Sequence, residues 1–336
     1  MRSFPNKPNV AILLLSLLLA CASSSKAPSD PIPELSSPSE ITNSDHGDTH
    51  TNTNQCQSTN AATPTEMATL QTAVLAEASG MVASYSNPNI LWMHNDSGDA
   101  ANLYAISTDG TLVATVEIPG VSPVDIEDIA RATCPDGEGS CLWVADIGNN
   151  NQDRDVLDIH VAEEIDLSVS NIPSPTRTWR YQYRYPHDPV DSEALVVAPD
   201  GSRLWIFEKV DGPNARVYAL ENPQEETVAT LSIVATIPSP GLAIPYGRMI
   251  TAADLHPSGQ RLLIRVYTGS WEYRFDSSLD FENLGAIEPL TVALGPLTEA
   301  QGEAICYDNP GTGLWTVSED PEGAGHQPLH HYPCQD

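Results

Sequence analysis

One short sentence, written five times along the chain, limits what it can fold into more than any other feature. Its clearest copy is VDSEALVVAPDGSRLWIFEK, residues 190–209. An acid, an apolar run, a Pro-Asp-Gly turn and a Leu-Trp pair read as two β-strands joined by a tight turn. The other copies are LAEASG…ILW (75–92), VDIEDIA…CLW (124–143), ITAADLHPSGQRLL (250–263) and QGEAICYDNPGTGLW (301–315). Measured from acid to Trp, Glu193–Trp205 and Glu303–Trp315 are both 12 apart, and Thr251–Leu263 keeps 12 with Thr in the place of the acid. Glu77–Trp92 and Glu127–Trp143 are 3 and 4 residues longer, which reads as longer turns. Four of the six Trp residues fall in these pairs, a regularity that makes this a repeat protein.

Each copy continues into a third apolar–polar strand, at Leu103-Tyr104-Ala105, Ile159-His160-Val161, Val217-Tyr218-Ala219, Glu272-Tyr273-Arg274 and Leu329-His330-His331. Fourth strands follow at Leu112–Ile118 and Ala229–Ile237. Gly, Pro, Asn and Asp separate them, and no helical period appears. Four short antiparallel strands per repeat, at a period of about 50 to 65 residues, predict an all-β chain folded as a β-propeller. Five blades are favoured. Six remain the alternative, because Leu167–His187, with TRTWRYQYRYP, has room for a degenerate blade. The last repeat lacks a fourth strand, which the segment around Thr69–Ala76 is expected to supply, closing the ring.

The domain occupies residues 67–336. Before it, residues 1–20 read as a signal peptide: Arg2 and Lys7 precede an apolar run from Val10 to Ala20, too short to span a membrane. Cys21 follows directly, as in bacterial lipoprotein signals, and is expected to carry lipid. Ala22 after it favours the outer membrane in the Gram-negative pattern. Residues 21–66 are Ser-, Thr- and Pro-rich and read as a tether, too poor in apolar side chains to pack.

The chain carries 45 Asp and Glu against 15 Lys and Arg, for a net charge of −30. That excess argues against nucleic acid as a partner and leaves the lipid as the expected membrane contact. A protein or glycan at the cell envelope is the expected ligand class, and a monomer the expected state. An exported chain has oxidising surroundings for its cysteines. Cys134 and Cys141 flank one hairpin turn and are expected to pair. Cys306 and Cys334 are expected to pin the C-terminal strand, with Cys56–Cys334 as the alternative.

At this point the words NDSG (95–98), DIGNN followed by Arg154, YP…D.EAL (185–195), Arg265 in its strand and GEAI…SE (302–319) resemble a group of bacterial exported β-propellers of largely uncharacterised activity. In fold and acidic centre the chain is also similar to calcium-dependent propellers of the phytase-like and gluconolactonase/phosphotriesterase types. The resemblance implies a propeller and assigns no catalytic residue.

Chemistry is expected where the first strands of a propeller line its channel. One repeat position then gathers Glu77, Glu127, Glu193, Thr251 and Glu303 in a ring, with Asp96 and Asp146 brought in by second strands. Carboxylates so gathered repel unless they are hydrated, protonated or bridged by a cation. Ca²⁺ suits an irregular all-oxygen site, and no His/Cys set at zinc spacing competes with it. The expected metal ligands are therefore Glu77, Asp96, Glu127, Asp146, Glu193 and Glu303. Lys209 and Arg265, on adjacent second strands, are expected to hold an anionic group. No GxSxG, HExxH, GxGxxG or P-loop pattern occurs. Two functions follow: an envelope binding or scaffold module with a channel cation, or a calcium-dependent hydrolase of phosphoesters or lactones.

Overall fold

A computed structural model describes residues 66–277, 279–292, 294, 299, 301–320 and 327–333. The signal, the tether and with them Cys21 and Cys56, as well as Cys334, lie outside the described residues. The first strand, β1 (Glu66–Thr69), precedes blade 1, built of β2 (Ala78–Ala83), β3 (Ile90–Asn95), β4 (Asn102–Ser107) and β5 (Leu112–Glu117). Blade 2 follows as β6 (Ile126–Thr133), β7 (Ser140–Asp146), β8 (Leu157–Glu163) and β9 (Thr178–Arg184). Blade 3 is β10 (Ser192–Val197), β11 (Arg203–Glu208) and β12 (Asn214–Glu221), then β13 (Val228–Thr230), which leaves to join blade 2, and β14 (Ser232–Pro238). Blade 4 is β15 (Ile250–Leu255), β16 (Arg261–Val266), β17 (Gly269–Arg274) and β18 (Leu290–Val292). Blade 5 is β19 (Gly302–Tyr307), β20 (Gly313–Ser318) and β21 (Pro328–Pro333), completed by β1.

These antiparallel sheets form a five-bladed β-propeller. The innermost strands β2, β6, β10, β15 and β19 touch in that order, and β19 returns to β2. Blade 5 takes its outer strand from the start of the domain, Glu66↔His331 to Thr69↔Pro328, three residues earlier than the sequence indicated. That pairing closes the ring non-covalently. The TRTWRYQYRYP stretch forms β9, the outer strand of blade 2, so the described residues hold no sixth blade. The expected single strand at Ala229–Ile237 is two elements. Its first part pairs in parallel with β9 (Val228↔Gln182), and its second completes blade 3.

The Leu-Trp pairs explain why five repeats cohere. Trp92, Trp143, Trp205 and Trp315 are at most 5% exposed, and each packs against the following blade. Trp92 shares an apolar cluster with Ile126 and Val144 of blade 2, and Trp143 one with Leu195 and Ile206 of blade 3. Trp205 stacks on Phe281 of blade 4 with ring centroids 3.9 Å apart, and Trp315 shares an apolar cluster with Met81 and Leu91 of blade 1. A blade alone has nothing to cover its Trp; a ring of blades covers them all. Blade 4 has Leu263 instead, in the smallest of the five apolar clusters. There polar bonds add to the contact with blade 5: the buried Tyr307 hydroxyl donates to Glu272 (2.9 Å), which also accepts from Arg274 of its own blade (2.6 Å).

The Cys134–Cys141 disulfide is present. Cys306, by contrast, has a free, buried thiol whose pKa is pushed well up by burial and by Asp254 and Asp308. The expected Cys306–Cys334 bridge is thus not formed. Cys306 stands opposite Trp315 on β20, and the alternative Cys56–Cys334 pair lies outside the described residues.

Candidate functional site: the acidic mouth of the channel

Each inner strand carries a β-bulge at the same repeat position. The register slips at Ser79, Glu127, Glu193, Thr251 and Glu303, one per blade. Three residues later comes the partner of the Trp or Leu: Val82↔Trp92, Ala130↔Trp143, Val196↔Trp205, Asp254↔Leu263 and Cys306↔Trp315. A bulge turns its extra residue out of the ladder and re-aims the side chain, here at one end of every inner strand. Four of the five positions are those read from the sequence. In blade 1 the equivalent residue is Ser79, not Glu77.

Two hydroxyls of this ring tie blades together. Ser79 Oγ donates to the Glu127 carbonyl (2.9 Å), and Thr251 Oγ1 to that of Gly302 (3.0 Å). The three carboxylates are almost fully enclosed, with Glu127 2%, Glu193 3% and Glu303 3% exposed. Burial, reinforced by Glu193, Asp96 and Asp125, pushes the Glu127 pKa well above the usual range. Burial does the same to Glu193; Lys209 opposes it, while Glu303 and Asp191 add to it. Glu193 Oε1 accepts from Lys209, whereas its Oε2 is buried and has no partner among the described residues. Burial alone would lower the Lys209 pKa. Glu193, Glu127, Asp191 and Glu303 overcome it and hold the ammonium charged. Gln301 Nε2 donates to Glu303 at 2.8 Å.

Two further tiers complete the mouth. Two residues before each bulge stand Glu77, Asp125, Asp191, Met249 and Gln301. Just past the second strands, Asp96, Lys209 and Glu319 each donate their backbone amide to that tier: to Glu77 (2.9 Å), Asp191 (2.9 Å) and Gln301 (3.1 Å). Tyr267 occupies the same position in blade 4, half-buried. Its pKa is pushed well up by burial and then by Glu303, Glu193, Glu319 and Glu127. Lys209 Nζ lies 5.9 Å from its ring centroid.

Blade 2 has Gly148 near this point, where no side chain would fit. Its amide donates to Asp125 O (3.1 Å), and a Cβ there would lie 2.2 Å from Glu127 Oε1 and 2.3 Å from Asp125 Oδ2. The DIGNN word thus supplies a backbone without a side chain where two carboxylates press closest. Asn149 shapes the loop, accepting from the Asp153 and Arg154 amides (both 3.0 Å) and giving its own amide to Asp191 (2.8 Å). Arg154 donates to Gly148 O (2.7 Å) and Asp146 Oδ1 (2.9 Å).

Beneath Gly148, carboxylate oxygens of Asp96, Asp125 and Glu127 lie within 4.8 Å of one another. That spacing fits one hard cation, since ligands across a calcium ion bound at about 2.3–2.6 Å are up to roughly 5 Å apart. Of the six metal ligands expected from the sequence, the structure gathers Asp96 and Glu127 in this cluster, with Glu193 and Glu303 in the surrounding ring. Glu77 has an exposed side chain and acts through its backbone, whose amide donates to Asn95 Oδ1 (3.2 Å).

Asp146 is engaged elsewhere. Its oxygens accept the amides of Val124 (3.0 Å) and Asp125 (2.9 Å) besides Arg154. Burial pushes its pKa up, yet His160 and Arg154 bring it down to about 2. Asp146 also groups with Asp158 and His160 within 4.8 Å, but Arg154 and Arg180 already neutralise that group (Arg180 Nε–Asp158 2.7 Å). Arg265 is likewise committed. It is 3% exposed and donates to Glu299 and to Ala304 O (2.6 Å), so it acts as a strut between blades 4 and 5. His94 is neutral, its pKa lowered by burial to about 4, and it packs over Gly80.

Asp125, Asp191, Tyr267 and Gly148 escaped the sequence reading. The signal was present, because DIE, DSE and QGE repeat a polar residue two places before the Glu.

No protein-family model matches the chain. No curated protein matches it either. Among solved structures, Kuenenia stuttgartiensis hydrazine synthase aligns at 13% identity and a TM-score of 0.39, over 77% of this chain and 96% of that one. A likeness at that level carries no functional argument. The fold and site define a five-bladed propeller with a buried, acidic channel mouth that could hold a metal ion.

Proposed function

We propose that this chain is a cell-envelope binding module, held to the membrane by lipid on Cys21, whose propeller keeps a calcium ion at its channel mouth. The observation that carries the reading is the convergence of Asp96, Asp125 and Glu127 beneath Gly148, with Glu127 enclosed. The buried, unpartnered Glu193 Oε2 beside them is a further oxygen in want of a positive neighbour. Buried carboxylates outnumber the one ammonium among them, and a divalent ion removes that repulsion. Carboxylate, carbonyl and water oxygens are what calcium prefers. A ligand with an anionic or carbonyl oxygen would meet the ion, the Lys209 ammonium and the Tyr267 hydroxyl together.

The same arrangement supports a second reading. Three carboxylates do not fill the six to eight positions around calcium, so water and a substrate oxygen have places on the ion. The cation would then act as Lewis acid in hydrolysing a phosphoester or lactone, with Lys209 steadying the anion.

The test is a calorimetric titration of calcium into the chelator-treated full chain, with Glu127→Gln and Glu77→Gln alongside. Near-stoichiometric binding is expected, weakened at least tenfold by Glu127→Gln and unchanged by Glu77→Gln. Weak binding at many sites, equal in all three proteins, would remove the proposal. If binding is tight, turnover of phosphoester and lactone substrates separates the two readings.

A further inference from the structure

The opposite end of the channel holds a separate cavity of about 530 Å³, a volume typical of small-ligand sites. It lies at the C-terminal ends of β6, β10 and β15, whereas the acidic ring lies at their N-terminal ends. Six residues of β6 separate Glu127 from Thr133, about 20 Å at 3.3 Å per residue. Every blade contributes to the wall: Tyr85, Arg131, Val197, Asp254 and Asn309, in blade order. The Cys134–Cys141 hairpin adds Gly137, Gly139 and Ser140.

The chemistry here is the reverse of that at the mouth. In a chain of net charge −30, the one cation lining this cavity among the described residues is Arg131. Its guanidinium is held in place: Nη1 donates to Asn309 Oδ1 (2.8 Å), Asn309 Nδ2 donates to Ser84 O (2.9 Å), and Tyr85 stacks beneath at 5.4 Å. One such bond uses one of five N–H donors that suit a carboxylate or phosphate. Asp254, the one carboxyl in the lining, has an amide on each oxygen, from Leu255 (2.9 Å) and Tyr307 (2.7 Å). Burial raises its pKa to about 7, so it opposes an incoming anion only in part. His256 is neutral, its pKa lowered by burial and by Arg261 to about 4.

Polar and apolar groups share the rest of the wall. Thr133 and Asn309 offer further polar atoms, and Val197, Pro199 and Pro257 form the apolar part of the wall.

The geometry points to a second binding site at this end of the channel, for a small organic anion that also carries hydroxyls, of the sugar-acid or sugar-phosphate kind. Arg131 takes the charged head, the Thr133 hydroxyl oxygen accepts from a ligand hydroxyl, and the Val and Pro surfaces take the ring face.

The test uses the full chain in chelator, so that no mouth cation contributes, with D-glucuronate, D-glucose 6-phosphate and D-glucose as calorimetric probes. Binding of at least one anionic sugar is expected, at least tenfold tighter than that of glucose, and Arg131→Gln should bring the ratio within twofold. Asn309→Ala, on an exposed turn, should reduce the ratio severalfold and replaces Arg131→Gln if that protein fails to fold. The inference is overturned by equal affinity for glucose and both anions, by no binding of any probe, or by an undiminished ratio in the variant. Glucuronate and glucose 6-phosphate compared directly distinguish a carboxylate head from a phosphate.

Discussion

Gly148→Ala asks the most of the proposed cation site, because it adds one methyl group and changes no charge. The φ angle of Gly148 lies outside the left-handed region, so the backbone accepts alanine. The new Cβ would lie 2.2 Å from Glu127 Oε1 and 2.3 Å from Asp125 Oδ2, where ordinary contact begins at 3.4 Å. Each oxygen must retreat by about 1.2 Å, and calcium–oxygen distances of about 2.3–2.6 Å do not stretch that far. Losing even one carboxylate should weaken calcium at least tenfold, about 1.4 kcal/mol. Overpacking should cost about 1–3 kcal/mol of folding stability in chelator. Calorimetry reads the first quantity and urea unfolding in chelator the second. Wild-type calcium affinity in a folded Gly148→Ala protein would refute the placement of the ion beneath Gly148.

Two other consequences concern stability. Trp205→Ala empties the stack on Phe281 and should cost about 3–5 kcal/mol in urea unfolding. An effect below 1 kcal/mol would mean that the inter-blade Trp contacts do not hold the ring. The second is acid-dependent. Burial pushes the Glu299 pKa up, but Arg265, His330 and Thr316 bring it from 4.5 down to about 2. A depressed carboxyl pKa stabilises the fold above the unfolded value, and the contribution fades as pH falls from about 4.5 to 2. It amounts to about 3 kcal/mol. The stability gap between wild type and Glu299→Gln, followed by urea midpoints, should therefore close across that window; a gap constant with pH would contradict the assigned network.

Much of the propeller was legible because its signal is local. The acid-to-Trp spacing spans one hairpin, and the apolar–polar alternation within each strand needs no partner to be seen. What failed depended on distant partners. The bulge of blade 1 falls on Ser79, which has the same place in the ladder as Glu127 but not its chemistry, so counting from an acid selected Glu77, two residues early. The excursion of β13 to blade 2 is set by pairing with β9, more than 40 residues away, and nothing in Val228–Thr230 announces it. Arg265 looked like an anion clamp because its partner Glu299 lies 34 residues on, outside any repeat word. Cys306 looked like half of a disulfide because an exported chain is expected to pair its thiols, and sequence does not show that this one is buried and free. Two of the three residues of the cation cluster were visible: Asp96 and Glu127 were read, whereas Asp125 hid in the i−2 position of DIE.

The most direct test of the account is a crystal structure of the calcium-soaked protein, with anomalous difference density at the channel mouth. The account predicts one peak about 2.3–2.6 Å from oxygens of Asp96, Asp125 and Glu127, beneath Gly148. A mouth filled only by water, with those carboxylates bonded to one another or to protein amides and no anomalous peak, would contradict it.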